Sequence, residues 1–120
     1  MIVLLAGPAA AQPLQFDLIC RGTEAPRPGG PRQAYEAHYR IDLATLQWCA
    51  DVCRPIRDLS AERILLADDE PGPDQPANRI AFVSRITGEF SDLMIGPEAT
   101  WDRKARCETA PFSGSPAPAH

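Results

Sequence analysis

Cysteines stand at positions 20, 49, 53 and 107 of a 120-residue chain, and their spacing constrains the fold more than any other feature. Cys49 and Cys53 would lie ~13 Å apart in an extended strand, whereas a bridge needs Cα atoms within about 7 Å. If they pair, the chain from Trp48 to Arg54 must turn back on itself. The remaining pair, Cys20 and Cys107, would then join the first strand to the last. Such a crosslink closes a barrel and covers two edges that would otherwise pair with other chains. Four cysteines allow three pairings, and the spacing favours this one. Two other readings stay open. One is a zinc site of four thiolates, for which Cys49 and Cys53 have the loose end of the usual ligand spacing while Cys20 and Cys107 are isolated. The other is reduced buried or redox-active thiols, although Ala50, Asp51 and Val52 separate the close pair too widely for a Cys-x-x-Cys motif.

Structural disulfides persist in oxidising compartments, and the start of the chain fits export. Met1 opens the apolar run Ile2-Val3-Leu4-Leu5-Ala6, followed by Gly7-Pro8 and the small-residue run Ala9-Ala10-Ala11. A signal peptidase cleaves after runs of this kind, so the expected cut follows Ala11. No Lys or Arg precedes the apolar run, and the run is shorter than a usual signal core. The alternatives are a start codon assigned too far downstream, or no signal. The expected organisation is a signal peptide over 1–11, one β domain over 12–110 and a flexible tail over 111–120. No stretch approaches the ~20 apolar residues of a membrane-spanning helix. A net charge of -4 argues against nucleic acid or anionic lipid as the main partner.

Alternation with a period of two dominates the pattern. Leu14, Phe16, Leu18 and Cys20 alternate with Gln15, Asp17, Ile19 and Arg21, and Tyr35, Ala37, Tyr39, Ile41 and Leu43 alternate with Glu36, His38, Arg40 and Asp42. A turn at Ala44-Thr45 leads into Leu46 to Cys49, and Cys53 to Leu59 supplies a further short strand. Ile64-Leu65-Leu66 reads as strand by its spacing, after Ser60-Ala61-Glu62, which resembles a helix start. Arg79 to Thr87 sets Ile80, Phe82, Ser84 and Ile86 against Arg79, Ala81, Val83, Arg85 and Thr87; Thr87-Gly88-Glu89 then signals a hairpin into Phe90 to Ile95. The last strand, Ala99 to Cys107, puts Ala99, Trp101, Arg103, Ala105 and Cys107 on one face. Prolines and glycines mark Thr23 to Gln33 and Asp68 to Asn78 as long loops. The expected fold is all-β, an antiparallel meander of about seven or eight short strands forming a small barrel or sandwich.

Chemistry-bearing residues are few. His38 lies on the polar side of its strand beside Glu36 and Arg40, where it is either a base or a solvated surface group. His120 ends the tail, so no two-histidine metal site is expected. Asp68, Asp69, Glu70 and Asp74 fit no calcium loop and read as a solvated acidic segment. Ser113, in Phe112-Ser113-Gly114-Ser115, lacks the strand-turn-helix context of a hydrolase nucleophile. Arg103 stands out, because alternation places it on the face of Trp101 and Cys107. An inward arginine needs a carboxylate partner or a ligand, and a barrel mouth offers either. Tyr35, Tyr39, Trp48, Phe82 and Trp101 read first as core. No catalytic residues, cofactor or metal are expected.

The segments Phe16-Asp17-Leu18-Ile19-Cys20, Tyr39-Arg40-Ile41-Asp42-Leu43, Trp48-Cys49 to Cys53, Arg85-Ile86-Thr87-Gly88, Arg106-Cys107 and Pro111-Phe112-Ser113-Gly114 resemble a group of small exported alphaproteobacterial proteins without assigned activity. The resemblance implies a secreted β domain and supplies no site. In layout alone, the chain is similar to the periplasmic inhibitors of c-type lysozyme. Their Ser-Gly loop and Tyr/Lys motif are not matched, since no tyrosine follows Ser113-Gly114 and none lies close before Lys104. The leading expectation is therefore a periplasmic or secreted binding module, without catalysis, whose loops or barrel mouth contact a protein or cell-envelope ligand. A small periplasmic enzyme, a lysozyme-inhibitor-like protein and a structural envelope protein are the alternatives.

Overall fold

The computed structural model describes residues 13–27, 29–72, 77–97 and 99–114. The expected signal segment, Asp74 and the end of the tail with His120 lie outside the described residues. Within them are β1 (Gln15–Arg27), β2 (Gln33–Asp42), β3 (Gln47–Cys49), β4 (Cys53–Pro55), β5 (Asp58–Leu59), β6 (Arg63–Asp69), β7 (Asn78–Ser84), β8 (Glu89–Ile95) and β9 (Thr100–Ala110). They form one antiparallel sheet in the order β4-β3-β2-β1-β9-β8-β7-β6-β5, curled into a half-barrel. The all-β meander is as expected. A ninth strand arises because Cys53 to Leu59 divides in two at Ile56.

That division explains the curl. β4 and β5 are consecutive in the chain yet stand at opposite edges of the sheet, so the edges must meet where Ile56 and Arg57 cross between them. The Ile56 N–H donates to Leu46 O at 2.9 Å and the Arg57 N–H to Leu65 O at 2.8 Å. Trp48 Nε1–H adds a bond to Leu66 O at 2.9 Å. Away from this end the sheet stays open, because Gln33–Tyr39 of β2 pair with β1 alone and β6 beyond Leu65 pairs with β7 alone.

Both disulfides form as the spacing favours. Cys20 and Cys107 face each other across β1 and β9, and Cys49 and Cys53 face each other across β3 and β4. No thiolate is left for zinc or redox chemistry. The core fills the closed end: Phe16, Leu18, Ile41, Trp48, Ile64, Leu66, Val83 and Phe90 are all buried. A register shift between Leu65 and Ala67 turns both Leu66 and Ala67 inward. In β7 the small residues Ala81 and Val83 are the buried ones, while Ile80 is 46% exposed. The rings of Tyr39, Trp48 and Phe90 pack together in the interior, and narrow side chains on β7 leave them room.

Two expected loops and one expected helix start are corrected. β1 runs on to Arg27 and β2 starts at Gln33, so the ladder reaches well into Thr23 to Gln33. Pro26 is tolerated because its carbonyl accepts from Gly30 N at 3.2 Å, on the side away from β9, so its missing N–H costs no bond to β9. β6 likewise takes in Asp68 and Asp69. Ser60 to Glu62 is a turn rather than a helix start, its Ser60 Oγ accepting from Glu62 N at 3.2 Å and Arg63 N at 3.1 Å.

Gly22 marks a close approach of β1 to β9, since a Cβ there would lie 1.9 Å from the Lys104 carbonyl oxygen. Gly22→Ala is expected to destabilise by about 1–3 kcal/mol through overpacking. A fall in the urea midpoint at unchanged slope would show it; an unchanged midpoint would mean the strands separate freely.

Candidate functional site

Alternation carries the interior from apolar at the closed end to charged at the open end. On β8 the inward series starts with Phe90 and continues through Asp92 to Met94; on β9 it runs from Cys107 through Ala105 and Arg103 to Trp101; on β7 it runs from Val83 and Ala81 to Arg79. β1 contributes Glu24, directly opposite Arg103 in the register. The outcome is an ionic network at the open end of the half-barrel.

Asp92 sits at its centre, 2% exposed. Arg79 grips it with two bonds, from Nε to Oδ1 at 3.1 Å and from Nη2 to Oδ2 at 3.0 Å. Arg103 Nη1 donates to Oδ2 at 3.3 Å, and Arg103 Nε donates to Glu24 Oε1 at 2.8 Å. Each guanidinium also lies over an aromatic ring, Arg79 at 5.9 Å from the Trp48 centroid and Arg103 at 5.1 Å from that of Tyr35. Burial alone would lower both arginine pKa values, but the Asp92 and Glu24 carboxylates outweigh it and raise them. Beneath, Tyr35 and Tyr39 join hydroxyl to hydroxyl. Burial first, and that bond second, push the Tyr39 hydroxyl up, so it stays protonated. Two positive and two negative side chains leave the cluster neutral.

Glu24, Asp92, Met94, Trp101 and Arg103 line a cavity of about 300 Å³, the low end of the range for small-molecule sites. Trp101 is 41% exposed, so it is a surface at this cavity rather than core. The structure thus brings Arg103 and Trp101 together as expected, and supplies Arg103 with carboxylate partners. Of the other aromatics, Tyr39 and Trp48 are core, while Phe82 lies partly buried beneath the Arg63 guanidinium.

His38 is elsewhere, on the convex face. Its Nε2 lies 2.5 Å from Asp17 Oδ2, and Asp17 is 1% exposed. The Ser113 N–H, in the segment expected as a tail, donates to Asp17 Oδ1 at 3.1 Å. His38 is exposed, as a solvated face would have it, and its half-exposed ring also bonds a buried carboxylate. A carboxylate orients an imidazole for base catalysis in this way, but among the described residues no hydroxyl or thiol bonds the ring's other nitrogen. Burial would raise the Asp17 pKa; the hydrogen bonds from His38 and Ser113 outweigh it and hold the carboxyl below its ordinary range. The unfolded chain therefore takes up this proton first as pH falls. The stability Asp17 supplies is expected to be complete above about pH 5 and to be lost as pH drops through the unfolded and then the lowered folded-state value. Urea titrations from pH 2 to 6 should show a steeper acid loss for wild type than for Asp17→Asn; parallel curves would contradict it.

In the acidic segment Asp69 pairs with Arg57 at 2.7 Å, and among the described residues no cluster has the makings of a metal site. Also among them, no helix is long and apolar enough to cross a membrane. Sequence reasoning passed over Asp92, Arg79 and Glu24. Their signal was phase: each continues an inward series whose other members are apolar. No family model, curated protein or solved structure matches this chain.

Proposed function

We propose that the protein is a binding module of the periplasm or extracellular space that takes a cell-envelope ligand, without catalysis, at the open end of its half-barrel. Two disulfides fit maturation in an oxidising compartment. The carrying observation is Trp101, a large aromatic left exposed at the lip of a cavity whose polar groups are fixed by mutual ion pairs. Fixed groups beside an exposed ring are suited to recognition, because little rotamer freedom is lost on binding. The Cys20–Cys107 bridge supports that rigidity, since β1 and β9 carry Glu24, Trp101 and Arg103.

Co-sedimentation of the purified protein with isolated peptidoglycan sacculi and with outer-membrane vesicles tests the reading. Saturable pelleting with one fraction, reduced by Trp101→Ala, is expected. Protein left in the supernatant with both fractions would sink it.

A further inference from the structure

We infer that the open-end cavity is a saccharide site, with Trp101 as the platform for a neutral sugar ring and Glu24 and Arg103 as its hydroxyl partners; this rests on the binding-module reading and names its ligand class. A pyranose offers C–H groups on one face and hydroxyls around its rim. The first match an exposed aromatic face, and the second match a fixed acceptor beside a fixed donor.

The cavity holds that set. Trp101 is half-exposed and stands opposite Met94 in the register, so one wall is apolar. Arg103 uses Nε on Glu24 and Nη1 on Asp92, which holds the guanidinium plane still. Among the described residues, Glu24 Oε2, Arg103 Nη2 and Trp101 Nε1 make no bond within the protein, leaving one acceptor and two donor groups for a ligand. Arg103 and Glu24 side chains keep 31% and 23% of their surface exposed, so solvent reaches both.

Charge decides the class. An anionic ligand would bring its charge beside Glu24 and Asp92, and a cationic one would meet Arg103 and Arg79. The network is balanced within itself, so a neutral, hydroxyl-rich ligand gains hydrogen bonds without unpairing a buried ion. A peptide is the less suited occupant. Strand addition would use the free edges of β2 and β6, whereas the cavity lies on the floor made by β1, β9 and β8.

Tryptophan fluorescence and calorimetry of the full chain provide the test, titrating chitotriose, cellotriose and maltotriose, with trialanine blocked by an N-acetyl and a C-terminal amide group as an uncharged peptide control. A Trp48→Phe background leaves Trp101 as the reporting indole. At least one trisaccharide is expected to change Trp101 emission saturably, with little dependence on salt. Trp101→Ala should weaken that binding about ten-fold and Trp101→Phe much less. Glu24→Gln should weaken it while leaving the urea midpoint near wild type. Should no trisaccharide bind while the protein still pellets with envelope material, the sugar assignment fails and the binding module stands. Failure of both removes both. Trialanine binding alone, or sugar binding indifferent to Trp101→Ala, also overturns the assignment.

Discussion

Replacing the long bridge with Cys20→Ala and Cys107→Ala is expected to cost about 4 to 5 kcal/mol, against about 2 kcal/mol for Cys49→Ala with Cys53→Ala, by the chain-entropy relation for the loops each closes. The sequence separations are 87 and 4 residues. A small domain has about 5–15 kcal/mol in total, so the first variant should stand near its unfolding midpoint in little urea. The position of the bridge adds to this. Cys20 pairs with Cys107 in the same ladder that sets Gly22 against Ala105 and Glu24 against Arg103, so the crosslink fixes the register on which the open-end cavity depends. Urea unfolding of the two double variants beside wild type decides it. Equal losses from the long and short bridges would show that the denatured chain is already compact enough to make the long crosslink weak.

The strands were legible in the sequence where one face is apolar and the other charged. Tyr35 to Leu43 against Glu36 to Asp42 gave β2, and Phe16, Leu18 and Cys20 gave the buried face of β1. Legibility failed at the end of β1, where a proline breaks the pattern. Thr23 to Arg27 carries Pro26 and reads as loop, but β9 alone pairs with its last residues, and a proline can face the vacant side. The curl was hidden for another reason. Ile56 and Arg57 cross between opposite edges, and nothing local in Cys53 to Leu59 says that its two halves belong to strands far apart in the sheet.

Part of the site was legible too. Arg103 could be placed inward by its phase with Trp101 and Cys107, and the need for a carboxylate followed from burial. Which carboxylate answered could not be read, because Asp92 looks like a surface residue of a half-polar strand until the register puts it between Arg79 and Arg103. His38 shows the opposite case. Its own strand gave Glu36 as the neighbouring carboxylate, whereas its partner is Asp17 on β1, buried beneath a tail that composition alone would leave free.

Asp92→Ala is expected to destabilise by about 3 kcal/mol, the lower end for breaking a buried ion pair, because both arginines keep some contact with water. Asp92→Asn keeps one acceptor and should lose less, about 1.5 kcal/mol. Removing Asp92 alone strands Arg79 over its aromatic ring and leaves Arg103 with Glu24 only, whereas removing all three charges leaves just Glu24, which keeps 23% of its side-chain surface in water, without its partner. The triple variant Arg79→Met, Asp92→Leu, Arg103→Met should therefore recover most of the stability that Asp92→Ala loses, by the same physics that makes apolar replacements of buried ionic networks neutral or stabilising. Its binding to the ligand of the open end should nonetheless be lost, because Glu24 then has no guanidinium to hold it. Unfolding midpoints for the three variants separate the two contributions. If the triple variant is as unstable as Asp92→Ala, the network holds the half-barrel together; if it is restored but no longer binds, the charges are there for recognition.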